Sequence, residues 1–191
     1  SISPYITASI LRIQLNYRLV ASDTAYGKTN LQVLITEGFN LLDSLECWGR
    51  YVMTYKVLFT SDLHGNTMQY QKLIDYASEV SADCVIIGGD LTPKHFPDNA
   101  VISGQRHFLN KKLPRLLRLL KKKLPKSRLF LIMGNDDCAA NLDVLEKGDP
   151  MVFHVIHKKR IKLTEEFDMV GYSYVPITPF GIKDWEKYDL S

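Results

Sequence analysis

Three short polar clusters in this chain carry residue types that hold metal ions and phosphates: Asp62-Leu63-His64-Gly65-Asn66, Gly89-Asp90 and Gly134-Asn135-Asp136-Asp137. Carboxylate oxygen, imidazole nitrogen and amide oxygen together suit a divalent cation such as Mn, Fe, Zn or Mg. Asp62 and His64 stand two apart, and in extended chain residues i and i+2 point the same way. The two oxygens of Asp90 allow it to bridge two ions. The glycines permit sharp bends and close approach of a ligand. One Asp-x-His alone is a weak signal, because an Asp after an apolar strand is commoner as a helix cap or turn residue. Three such clusters in this order are much more specific.

Each cluster follows a short apolar run. YKVLFT, CVIIGGD and LFLIMGNDD read as buried strands, rich in β-formers and bounded by turn residues. Between them, Met68, Leu73, Ile74, Ala77 and Val80 recur at helical spacing. Leu113 to Leu124 reads as a second helix, with Pro114 in its first turn and Pro125 just past its end. A short helix is expected over Ala139–Lys147, closed by Gly148. Three β-like runs follow: MVFHVIH, RIKL and DMVGYSYV. Alternating strands and helices argue an α/β fold with parallel central strands, and the later runs argue antiparallel additions. Ligands of such sheets bind at the carboxyl ends of the strands, which is where all three polar clusters sit.

Taken together, SDLHGN, GGDL and GNDD resemble the signature of the calcineurin-like metallophosphoesterases, and DLHGN resembles their small prokaryotic branch. The likeness runs from roughly Thr54 to Ser191. It implies an α/β/β/α sandwich around two mixed sheets and two divalent metal ions (Mn, Fe, Zn or Mg). It also implies a phosphoester substrate, hydrolysed as a monoester or diester by metal-activated hydroxide. By that resemblance Asp62 and His64 hold the first ion, Asp90 bridges, and Asn135 holds the second. Two departures stand out. The family places a catalytic His after the Asn, and this chain has Asp136 there. An ionised Asp repels phosphate and donates no proton unless burial or a nearby anion raises its pKa; orienting a ligand or touching a metal are its other readings. The family also ends in a GHxH-type motif, and here His154 and His157 are the only histidines after Asn135. Three apart in a strand, they point to opposite faces and read as structural or surface residues. The phosphoesterase domain, 53–191, is therefore expected to be C-terminally incomplete, preceded by a poorly patterned extension over 1–52 in which Ile10, Ile13, Leu15 and Leu19 fit a short helix or an irregular strand.

Two further residues are candidate substrate contacts. Asn66 could touch phosphate or form the turn beside Gly65. His95, in DLTPKHFPDN, could line the cleft or sit on a plain surface loop. Asp137 reads most simply as a helix cap. The aromatic, proline-rich stretch Tyr172–Trp185 fits a cleft wall or ordinary packing.

The 191 residues are 46% hydrophobic and 24% charged, with a net charge of +3. That excludes a disordered or fibrous chain and does not by itself demand nucleic acid or membrane. No apolar stretch is long enough to span a bilayer. Three separated cysteines without a CxxC pair argue against a disulfide scaffold and suit a cytoplasmic setting. Between Asp98 and Asp136 lie ten basic residues and no acid. The segment Lys111–Arg128 reads as a basic amphipathic helix, either a solvated outer face or a docking face for nucleic acid or another acidic partner. A catalytically incomplete protein that binds a partner is the main rival to an enzyme.

Overall fold

The computed structural model describes residues 20–21, 33–35, 55–97, 100–165, 167–179 and 181–188. The expected element over Ile10–Leu19 lies outside these residues.

Six strands form one sheet in which neighbours in sequence are neighbours in space. Its centre is β3 (Val57–Thr60), β4 (Cys84–Ile87), β5 (Arg128–Leu131) and β6 (His154–Val155), all parallel. Two short strands, β1 (Val20–Ala21) and β2 (Val33–Ile35), extend it antiparallel beyond β3. A separate antiparallel pair, β7 (Lys159–Lys162) and β8 (Asp168–Gly171), makes a second sheet.

The central strands β3, β4 and β5 are largely apolar because both of their faces are covered. Successive side chains go to opposite sides. Leu58, Val85, Ile87, Leu129 and Leu131 pack on the helical side, among Leu73, Ile74, Leu113 and Leu117. Val57, Cys84, Ile86 and Phe130 pack on the other, against Ile156 and against Met169 of β8. The described layers are thus helices, main sheet and second sheet. Thr60 pairs with Ile87 and Ile87 with Leu131. The three strands therefore end level, and the loops that follow them leave from one edge.

Helix α1 (Thr67–Glu79) buries Tyr70, Leu73, Ile74 and Ala77. Met68, expected on that face, is 70% exposed, and Tyr70 takes the inward position. A longer helical run differs more from expectation. It begins at α2 (Val101–His107), passes through a π-helical turn at Phe108–Lys112, and continues as α3 (Leu113–Lys123). Only α3 has the leucine periodicity. Gly104 hides α2 from a propensity argument, yet the glycine is required because a Cβ there would meet the Phe96 ring at 2.1 Å. The basic helix also ends earlier than Lys111–Arg128 suggests. Arg128 belongs to β5, where it donates to the carbonyls of Lys162 and Leu163 and lies over the Phe130 ring. A 3₁₀ turn (Ala139–Asn141) and α4 (Leu142–Glu146) occupy the expected short helix. Among the described residues, no helix is long and apolar enough to cross a membrane.

Candidate metal centre

The loops after β3, β4 and β5 are tied together by backbone bonds. Asp62 N–H donates to Gly89 O (3.3 Å), His64 N–H to Asp90 O (2.7 Å) and Gly65 N–H to Leu91 O (3.0 Å). The third loop joins through Asp136 N–H, which donates to Asp90 Oδ1 at 2.9 Å. Gly134 makes that approach possible, since a Cβ at this position would meet Asp90 N and Oδ1 at 2.3 Å.

The backbone marks the same residues. Asp62 (φ 60°), His64 (φ 43°) and Asp90 (φ 52°) adopt the left-handed region, which non-glycine residues enter at a cost. One ligand atom from each of Asp62, His64 and Asp90 lies within 4.8 Å of the others. His64 Nε2 is 3.7 Å from Asp62 Oδ1 and 3.8 Å from Asp90 Oδ2, too far for good hydrogen bonds and suited to surrounding an ion. His64 Nδ1 is buried and has no hydrogen-bond partner. Asn135 of the third loop is buried, and its Nδ2 donates to Asp136 Oδ1 at 3.2 Å, which leaves its amide oxygen free of that bond.

The electrostatics favour a cation. Burial, then the charges of Asp137, Asp136 and Asp62, push the Asp90 carboxyl up to about 8, against the pull of the Asp136 N–H. At Asp62 burial raises the carboxyl, but His64, Ser61 and Asp90 outweigh it and leave it below the ordinary range. Carboxylates crowded in this way are stabilised by a bound divalent ion, the largest local charge such a site can acquire. The donor set, with His64 Nε2 facing both carboxylates, and the raised Asp90 fit a metal of the class expected from the sequence.

The remaining candidates are placed differently. Asn66 caps α1: its Oδ1 accepts from Met68 N (3.0 Å) and Gln69 N (3.3 Å), so that oxygen serves the helix. Asp137 is no helix cap. Fully buried, its carboxylate accepts from Leu91 N, Thr92 N, Thr92 Oγ1 and Gly134 N and knots the second and third loops. Burial raises its carboxyl against those bonds. His95 is exposed on the loop after Asp90. Asp136 is ion-paired with Lys94, Nζ to Oδ2 at 2.5 Å. His154 is exposed beside the Phe130 ring. His157 accepts from Ser173 N and packs against Tyr172, Tyr174 and Trp185, with burial lowering its pKa. Of those aromatics Trp185 reaches the third loop, where its Nε1 donates to Asp137 O at 2.6 Å. Burial, then Asp184 and Asp137, raise the Cys138 thiol, the opposite of an activated nucleophile.

Sequence reasoning passed over three supports. Gln105 of α2 is fully buried, donating to Asp136 O and accepting from Cys138 N, both at 2.8 Å. Tyr70 OH donates to Leu91 O at 3.0 Å. Lys94 meets Asp136 from the neighbouring loop. A polar residue on a helix of unreadable periodicity gives no signal; a lysine beside the Gly-Asp motif facing an acid where a histidine is expected does give one.

The chain is similar to known proteins at the level of fold and family. One solved structure superposes with a TM-score of 0.50 at 18% identity, over 69% of this chain and 58% of that one. The crystal structure of TT1561 of Thermus thermophilus has a TM-score of 0.44 at 16% identity, over 69% of this chain and 56% of that one. The chain thus spans less than two thirds of the length of either neighbour. No curated protein matches it. Residues 55–184 match the calcineurin-like phosphoesterase family, and by that match over most of its length the chain belongs to it.

Proposed function

We propose that this chain hydrolyses phosphoesters at a divalent metal centre held by Asp62, His64, Asp90 and Asn135. The observation that carries the reading is the convergence of Asp62, His64 and Asp90 within 4.8 Å on left-handed backbone. Two divalent ions bound there would polarise the phosphoryl group and supply a hydroxide nucleophile at neutral pH. The protein's own part is positional. Asp62 and His64 share one loop and approach from one side; Asp90 lies between them and the third loop, with an oxygen toward each; Asn135 offers a neutral oxygen. The aromatic wall of Tyr172, Tyr174 and Trp185 borders the third loop, where a substrate's organic portion would lie. The phosphoesterase domain is assigned to 53–191, supported by the family match over 55–184.

The test is metal stoichiometry after Mn loading and removal of free ion, followed by a screen of phosphomonoesters and phosphodiesters, with Asp90→Asn as control. Two ions per chain, lost in the variant together with turnover, are expected. A chain that takes up no metal and turns over no ester overturns the reading and favours a partner-binding protein, whose binding Asp90→Asn would leave unchanged.

A further inference from the structure

We infer that Lys94 is the cation that binds the substrate phosphoryl group in this site, with Asp136 as its positioning residue. The inference rests on the phosphoesterase reading above. The wall of the site is acidic: Asp62, Asp90, Asp136 and Asp137 are within one set of interlocked loops. A phosphate dianion needs donors there that a metal alone does not supply on every side. Among the described residues, Lys94 is the Lys or Arg that forms an ion pair with any of these four carboxylates.

Its placement is built, not incidental. The loop that carries it is fixed at Leu91 and Thr92, whose N–H groups both donate to Asp137 at 3.0 Å, and at Leu91 O, which accepts from Gly65 N. Pro93 then packs so closely on Gly65 that a Cβ there would meet its ring at 2.3 Å. Asp136 is equally constrained: its N–H is held by Asp90, its Oδ1 by Asn135 and its carbonyl by Gln105. Only Oδ2 is turned toward Lys94. The Asp136 side chain is 14% exposed and that of Lys94 43%, so the ammonium sits on the solvent side of the pair. An ammonium has three donors. Asp136 engages one, and with the side chain 43% exposed the others are available to a phosphoester. The pair is neutral overall, which removes the repulsion that Asp136 alone would exert on phosphate.

The experiment uses the full chain loaded with Mn, and tungstate as a tetrahedral dianion of phosphate's shape and charge. Calorimetry measures tungstate affinity for wild type, Lys94→Met, Lys94→Gln and Lys94→Arg, beside Mn stoichiometry for each. Lys94→Met and Lys94→Gln should keep the metal and weaken tungstate about 10- to 100-fold, the loss expected for one charged hydrogen bond. Lys94→Arg should restore most of it. In turnover the first two variants should raise KM. Unchanged tungstate affinity in metal-replete Lys94→Met overturns the inference and leaves the phosphoesterase reading intact. Loss of Mn in both neutral variants makes Lys94 a structural residue and likewise overturns it. A wild-type chain that takes no Mn overturns the phosphoesterase reading, and this inference with it.

Discussion

Replacing Asp90 with Asn should stabilise the metal-free protein while abolishing its response to metal. The substitution removes a charge and keeps an acceptor for Asp136 N. In the folded chain the Asp90 carboxyl is pushed from an ordinary 3.8 up to about 8, by burial first and by three neighbouring acids next. The native state therefore holds a proton that the unfolded chain has released. The stability linked to that proton is full below the ordinary carboxylate range and is lost as pH rises toward about 8. At neutral pH the gap is about 3 pH units, and at 1.36 kcal/mol per unit the cost reaches about 4 kcal/mol. Asn escapes that cost. In chelator at pH 7 the variant should gain up to about 4 kcal/mol, with Tm rising about 2–4 °C for each. The gain should fade below pH 4. Excess Mn should raise the Tm of wild type by mass action and leave Asp90→Asn unmoved. Thermal unfolding followed by circular dichroism, with and without Mn at several pH values, measures both effects. A variant less stable than wild type in chelator at pH 7, or equal Mn shifts in the two proteins, would refute the electrostatic argument.

Other outcomes follow from the same geometry. Gly134→Ala drives a methyl against Asp90 at 2.3 Å, and should destabilise the chain by about 2 kcal/mol or more and abolish Mn uptake, read by denaturant melts and metal analysis. Asp137→Ala strands three backbone N–H donors and a hydroxyl, at a cost of about 3 kcal/mol or more by urea unfolding. Gln105→Ala should cost about 1–3 kcal/mol in the same assay and speed amide exchange at Cys138, whose N–H it accepts. If the α3 surface docks nucleic acid, binding should fall steeply with salt and with Arg115→Ala and Lys122→Ala. Lys121 and Lys123 matter less there, because the first serves Pro125 O and Ser127 O and the second pairs with Asp75.

What could be read in advance was whatever a short window of sequence fixes. The runs over Val57–Thr60, Cys84–Ile87 and Arg128–Leu131 are largely apolar because both faces are covered, and the polar clusters that follow them announce the edge where the loops meet. The grouping of Asp62, His64 and Asp90 was legible by residue type and order, and Asn135, named with them, is buried next to Asp136 in the third loop. The rest depends on long-range packing. Gly104 argues locally against α2, and only the Phe96 ring explains it. Asp137 looks like a cap until its partners, 45 and 46 residues away in sequence, are seen. Asn66 could serve substrate or helix equally well by type, and the N–H groups of Met68 and Gln69 decide it.

The π-helical turn at Phe108–Lys112 acts as an indexing joint between two tasks. A π turn amounts to one residue inserted into an α-helix. Each residue of α-helix turns the chain by about 100°. Upstream of the joint, the run must aim Gln105 at the loop of Asp136 and Cys138; downstream it must aim Leu113, Leu117 and Leu120 at the sheet. A regular helix would hold these two aims in fixed phase. The extra residue sets them separately. Deleting one residue within Phe108–Lys112 would leave the leucines seated and swing Gln105 about a quarter turn off the Asp136 loop. A single-residue length change in the joint would thus detune the site without touching any ligand.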